Sequence, residues 1–162
     1  MSYLLHPPLL DETGLHQALR WYTQGLEDRS RLSISVDAAQ DLGRFPREME
    51  LTLFRLVQEC LTNIHRHSGS KTAAIRIWRG LDHVQLEIRD QGRGIPAERL
   101  AQIQAQGSGV GIRGMRERIR QFDGRMQINS NGSGTTISFK FPVPKAPAAT
   151  RERLDQQLEV SG

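Results

Sequence analysis

The sequence predicts an α+β fold, a two-layer α/β sandwich in which a mixed, mostly antiparallel sheet is covered on one face by helices. Three observations lead there. The periodicity changes along the chain in the order helix, strand, helix, hairpin, glycine-rich loop, helix, hairpin. The later strands arrive as hairpins, which excludes a doubly wound parallel fold. Each apolar helix stripe also needs a sheet face to cover it. With 162 residues, 37% hydrophobic and 25% charged, the chain is long enough for one real core.

Taken in order, Leu4–Leu10 reads as the end of something upstream, since Pro7 and Pro8 cannot continue a helix. Asp11 offers an N-cap to a helix over 12–28, where Leu15, Leu19, Tyr22 and Leu26 recur at helical spacing with Ala18 and Trp21 beside them. Leu32, Ile34 and Val36 alternate with serines as a half-buried strand. Pro46 suits the first turn of a second helix. Its buried stripe is Leu53, Leu56, Val57, Cys60, Leu61 and Ile64, and it ends before Gly69.

Ala73–Ile77 and Val84–Ile88 alternate about Gly80-Leu81-Asp82, an antiparallel hairpin. Residues 91–111 are glycine-rich around a poorly apolar helical piece, 97–104. Ile112, Met115, Ile119 and Phe122 share one face of a third helix that Gly124 stops. A second hairpin turns at Asn131-Gly132, with Met126 and Ile128 on one arm and Thr135, Ile137, Phe139 and Phe141 on the other. From Pro142 onward the sequence reads as linker and tail.

Composition narrows the function. The single Cys60 permits neither an internal disulfide nor a cysteine zinc site, and points to a reducing compartment. A net charge of +4, with arginines spread along the chain and no basic run interleaved with aromatics, gives no nucleic-acid signature. An anionic small ligand such as a nucleotide fits that charge equally well. No apolar run approaches a membrane span, and the N-terminus has no signal-peptide pattern.

Four local features carry chemistry. Glu59 and Asn63 stand four apart on one helix face, with His67 four further on. An Asn carbonyl oxygen is a good neutral ligand for Mg2+, and a carboxylate one turn away can orient a nucleophile. Asp90-Gln91-Gly92-Arg93-Gly94 ends a strand, and its carboxylate is an acceptor suited to the exocyclic amine of adenine but not to the oxygen of guanine. Gly92 and Gly94 let backbone approach a flat ring closely. Gly107-Ser108-Gly109-Val110-Gly111 leads into a helix N-terminus, where amides can converge on phosphate. It is neither a Walker loop nor a dinucleotide fingerprint. Gly132-Ser133-Gly134-Thr135 forms the last glycine string, and on its own equally suits a plain hairpin turn.

Together and in this order, these strings resemble the ATP-binding catalytic domain of bacterial sensor histidine kinases, in the superfamily shared with gyrase, HSP90 and MutL. The resemblance runs over about residues 4–143 and is nearest to the subgroup of the nitrate sensors and DesK. Gln58–Ser68 matches the N box, Asp90–Ile95 the G1 box, Gly109–Arg118 the G2 box and Gly132–Thr135 the last glycine box. The absence of a Phe-rich box before Gly107 fits the same subgroup.

The resemblance implies the Bergerat ATP-binding fold, ATP and Mg2+ as ligands, and transfer of the γ-phosphoryl group to a histidine within a two-component phosphorelay. Asn63 is then the metal ligand, and Glu59 the catalytic base or orienting acid. Asp90 reads adenine, supported by Thr135 through a hydrogen bond or water. Gly92, Gly94, Ile95, Gly107, Gly109, Val110 and Gly111 line the nucleotide. Arg66 and His67 fall at phosphate-facing or structural positions.

It also implies a domain division. Residues 1–10 are a junction from an upstream dimerisation helix, 11–143 the catalytic domain and 144–162 a tail. The acceptor histidine then lies on an upstream dimerisation domain that this chain lacks. His6 is a junction residue, and His16, His65 and His83 are structural or surface residues. The implied setting is cytoplasmic, with a monomeric fragment, a homodimeric parent that is soluble or membrane-anchored, a response regulator downstream and no nucleic acid. Two alternatives stand beside this reading: a non-catalytic nucleotide-sensing or partner-binding domain, and a gyrase- or MutL-like ATPase module.

Overall fold

The computed structural model describes residues 8–106 and 110–143. Five strands form one sheet: β1 (Ser33–Ala38), β2 (Thr72–Arg79), β3 (His83–Asp90), β4 (Arg125–Asn131) and β5 (Gly134–Pro142). Their order across the sheet is β1-β2-β3-β5-β4. β1 pairs in parallel with β2, and the other three pairings are antiparallel. The parallel pair needs a crossover, which α3 (Arg47–Asn63) supplies. The remaining helices are α1 (Pro8–Thr13), α2 (Leu15–Arg29), α4 (Ala97–Gln106) and α5 (Val110–Arg120).

The expected two-layer sandwich is what forms. Ala73, Ile75 and Ile77 of β2, Val84, Leu86 and Ile88 of β3, and Phe139 and Phe141 of β5 are all buried. They share one core with Leu53, Leu56, Val57, Cys60 and Leu61 of α3, and with Leu15, Ala18, Leu19 and Tyr22 of α2. Thr72, Ala74 and Arg76, which alternate with the buried residues of β2, are exposed on the other sheet face. Each fully buried Leu or Phe contributes about 1.5–3 kcal/mol relative to exposure, so this face holds the sheet to α3. α5 docks on α3 through Met115, whose sulfur lies 3.7 Å from that of Cys60.

Three local expectations need correction. Asp11 does not cap a helix over 12–28. It lies inside α1, and the break comes at Gly14, whose φ of 91° stops α1 before α2 starts at Leu15. Pro8 opens α1, where its missing N–H costs nothing. The burial of Leu10, only 1% exposed, anchors this turn to the core.

As expected, the helix begun by α3 ends before Gly69: past Asn63 it continues as one π-helical turn, Ile64–Ser68, closed by Gly69 at φ 70°. Second, α5 begins at Val110, two residues ahead of the first apolar position on its stripe. Third, the last hairpin turns on Gly132-Ser133, because Asn131 is still paired with Gly134. The Asn131 side chain folds over the turn and accepts the Ser133 amide at 2.7 Å, an Asx turn in place of a primed one. His6, Gly107 and Gly109 lie outside the described residues.

Candidate nucleotide-binding site

α3 and the end of β3 build the site. Glu59 and Asn63 lie on the last turns of α3, half-buried beside the apolar stripe. Among the described residues neither side chain has a protein hydrogen-bond partner. Arg66 and His67 are exposed on the π-helical turn. Such a turn inserts one residue into the helical ladder. Here the helix end delivers the Ser68 carbonyl to the β3 loop, where it accepts the Arg93 amide at 3.1 Å.

Asp90 ends the central strand and is only 7% exposed. Its Oδ1 accepts the Gly92 amide at 2.8 Å and the Thr135 amide at 3.3 Å. Its second oxygen receives no hydrogen bond from the described residues. A buried carboxylate with one oxygen fixed by backbone and the other open to a donor fits an adenine amine. That open oxygen is the part of the carboxylate left available to a donor from a ligand. Thr135 supports Asp90 through its main-chain amide, while its hydroxyl shares a hydrogen bond with Ser130 at 2.9 Å.

Close backbone contact holds this loop in place. A Cβ on Gly92 would sit 2.2 Å from the Ser68 carbonyl oxygen. One on Gly94, where φ is 75°, would sit 1.9 Å from that of Asn131. These glycines let the loop wedge between the end of α3 and the β4–β5 turn. Their freedom is used against protein backbone on both sides. Ile95 is tied by its amide to Ser130 Oγ at 2.7 Å, and Gln91 by its amide to Ser70 Oγ at 3.0 Å. Ser130, Ser68 and Ser70 therefore position the site although the sequence did not single them out. Ser130 had one usable signal, its place two residues ahead of the last glycine string.

Of the expected phosphate loop, Val110 and Gly111 form the first turn of α5. The Met115–Cys60 contact ties that helix to α3 one residue from Glu59. Burial foremost, and then the Glu59 charge, raise the Cys60 thiol far above its ordinary range. Cys60 is thus a packing residue and no nucleophile. Two cavities, of about 380 Å³ beside Arg116–Met126 and 290 Å³ beside Ser33–Ser35, have no lining from Asp90, Asn63 or Glu59.

The family model described as histidine kinase-, DNA gyrase B- and HSP90-like ATPase matches residues 48–145, more than half the chain. The chain belongs to this ATPase family. It is an ATP-binding domain homologous to those of bacterial two-component sensor histidine kinases. It is 30% identical over 142 residues to the sensor histidine kinase MctS of Rhizobium johnstonii, covering 88% of this chain and 30% of the relative. It is 32% identical over 139 residues to the histidine-protein kinase/phosphatase UhpB of Salmonella typhimurium, covering 85% and 26%. The chain thus spans less than a third of the length of either relative.

Among solved structures, the blue-light activated histidine kinase of Erythrobacter litoralis EL346 superposes with a TM-score of 0.67 at 21% identity. That match covers 80% of this chain and 42% of the other, and it shows a common fold. No helix among the described residues of this ATPase domain is long and apolar enough to cross a membrane.

Proposed function

We propose that this domain binds ATP with Mg2+ and passes the γ-phosphoryl group to a histidine carried by a separate dimerisation domain, as the kinase step of a two-component relay. One observation carries the reading: Asp90, buried at the end of the central strand, has one oxygen held by the Gly92 and Thr135 amides and the other open. That oxygen accepts the adenine amine and repels the guanine oxygen. Asn63 offers a neutral oxygen to Mg2+ one helical turn from Glu59, and neither side chain has a hydrogen-bond partner among the described residues.

When bound, the metal neutralises phosphate charge and fixes the reacting phosphoryl group. The acceptor imidazole nitrogen forms the N–P bond as the bond from γ-phosphorus to the β,γ-bridging oxygen breaks. ADP leaves with the electron pair. Glu59 orients the imidazole and takes up its ring proton. Little covalent help is needed beyond this positioning. The Gly-rich segment and the first turn of α5 hold the phosphates. The subgroup of the nitrate sensors and DesK, a homodimeric parent, a response-regulator partner and a cytoplasmic setting belong to the same reading, on the strength of the sequence boxes and the named relatives.

The test is transfer of labelled phosphate from ATP to a separately made acceptor domain, with calorimetry for binding. ATP should bind in preference to GTP. The chain alone should label weakly, and added acceptor should give acid-labile, base-stable phosphohistidine. Asn63→Ala should remove most transfer while Asp90 retains part of the nucleotide affinity. Glu59→Gln should bind normally and transfer slowly. Equal affinity for ATP and GTP, or transfer indifferent to Asn63→Ala, would overturn the assignment.

A further inference from the structure

Away from the nucleotide site, one arginine joins three parts of the fold. Arg44 lies in the loop between β1 and α3. Its Nε and Nη2 grip the Glu50 carboxylate at 3.1 and 3.0 Å, a forked pair. Glu50, in the first turn of α3, is 2% exposed. The same Nη2 reaches back to the Asp11 carbonyl at 3.1 Å and the Leu10 carbonyl at 3.4 Å. Those carbonyls belong to α1; the Leu10 carbonyl also accepts the Gly14 amide at 3.1 Å. Outside this grip, Arg47 of α3 pairs with Asp11 at 3.3 Å.

The arginine is itself held. Arg79 of β2 stacks over Phe45, 4.6 Å from the ring centre, and donates from Nη1 to the Leu42 and Arg44 carbonyls at 3.3 and 3.1 Å. Phe45 further donates its amide to Glu50 at 3.4 Å. Loop, α3 and α1 therefore meet at one guanidinium, and Arg79 ties the same loop to the sheet. Directly after α1 comes Gly14 at φ 91°, a position where the chain changes direction, with the Arg44 stem packed against it.

We propose that Arg44 and Glu50 act as positioning residues: they clamp α1 to the N-terminal end of α3 and so fix the direction from which preceding chain reaches the helix that carries Glu59 and Asn63. This rests on the phosphotransfer reading, in which the acceptor histidine is carried by chain ahead of α1. Phosphoryl transfer needs the acceptor within bonding reach of a nucleotide held on α3, so the angle at which α1 leaves the body decides whether a tethered acceptor arrives in line. An acceptor supplied separately has no such tether and is indifferent to the clamp.

The decisive variant is Arg44→Met with Glu50→Leu. Glu50 is the buried partner and Arg44 is half-exposed; exchanging the buried acid for a leucine of similar size together with its partner leaves no uncompensated buried charge, while it removes the grip on the Leu10 and Asp11 carbonyls. Glu50→Gln is the milder companion, and Arg44→Lys, which keeps one charge but loses the fork, should restore part of the effect. Hydrogen exchange on the chain as it stands should show amides of residues 10–15 exchanging about tenfold faster in the double variant. ATP affinity should stay within about twofold, because neither residue touches the nucleotide site.

With a histidine-bearing helix pair joined ahead of residue 1, transfer in cis should fall about tenfold, whereas transfer to the same helix pair in trans should be unchanged. An unaltered exchange pattern, or equal loss in cis and trans, overturns the clamp. If the unmodified chain transfers in neither arrangement, the phosphotransfer reading is lost and with it the clamp's role in aiming an acceptor. The exchange measurement then still decides whether Arg44 and Glu50 hold α1.

Discussion

Two carboxylates are buried among the described residues of this domain, and they are solved in opposite ways. Glu50, at the start of α3, has both oxygens bonded to the Arg44 guanidinium and one of them also to a backbone amide. Asp90, at the end of β3, has no cation among its described partners, and two amides share one of its oxygens. A buried charge without a counter-ion is costly, so a fold that needed only rigidity at Asp90 would treat it like Glu50. The first acid is saturated and holds structure together. The second keeps one oxygen without a partner among the described residues, available to a donor from outside.

That contrast can be broken in several places. The largest effect should come from Glu50→Ala, which strands Arg44 and the Phe45 amide. Arg44 is half-exposed and its charge returns to water, so the lost fork and the unpaired Phe45 amide set the loss at about 2 kcal/mol, with a fall in Tm of about 4–8 °C and no change in ATP affinity. A scan with and without ATP reads both. Asp90→Asn should do the reverse. Its Oδ1 can still accept both amides, so Tm should move little. The new amide donor faces the adenine amine, and affinity should drop about ten- to a hundred-fold by calorimetry. Loss of stability in Asp90→Asn equal to that of Glu50→Ala would erase the distinction.

Gly94→Ala should fall between the two. Its Cβ meets the Asn131 carbonyl at 1.9 Å in a left-handed conformation. The hairpin must shift, costing about 1–2 kcal/mol and weakening ATP binding together with stability. Urea melts paired with calorimetry separate the two losses. The smallest effect concerns Cys60. Burial holds its thiol above the ordinary value, so the folded state keeps a proton that the unfolded chain releases. That stabilisation is complete below the unfolded thiol value of about 8.5. It declines as pH rises above it, by up to about 1.4 kcal/mol per pH unit. Cys60→Ala should flatten this slope between pH 8 and 9.5 in denaturant titrations.

Much of this was legible in the sequence because it is periodic. The α3 stripe from Leu53 to Ile64 and the alternation on both arms of the β2–β3 hairpin are repeated signals, and burial follows them. Asp90 stood out through its glycines. What escaped notice is aperiodic. Gly14 breaks the first helix by its backbone angle alone, and Asp11 looked like a cap because cap residues and first-turn acids are the same residue types. The Ser68 carbonyl and the Ser70 and Ser130 hydroxyls reach the Asp90 loop through bonds to Arg93, Gln91 and Ile95, residues 21 or more positions away, which leave no spacing to read. The parallel placement of β1 beside β2 depends on α3 crossing over, which hairpin logic does not anticipate. Arg44 and Glu50 lie six apart, on a loop and a helix, a spacing with no local meaning.

The position of β5 in the sheet has a consequence for how the protein is made. β5 is the last strand among the described residues, yet it lies between β3 and β4 and pairs Ile88 with Ile137. Asp90 gains its Thr135 amide only once this strand is inserted. A ribosome that has just emitted the N box and the Asp90 loop has therefore produced the recognition residues but not the site. Pairing so distant in sequence is slow to form, so nucleotide can act as a late reporter of completion. A chain cut short before residue 134 should keep α3 and the β2–β3 hairpin, yet have no competent pocket to offer ATP.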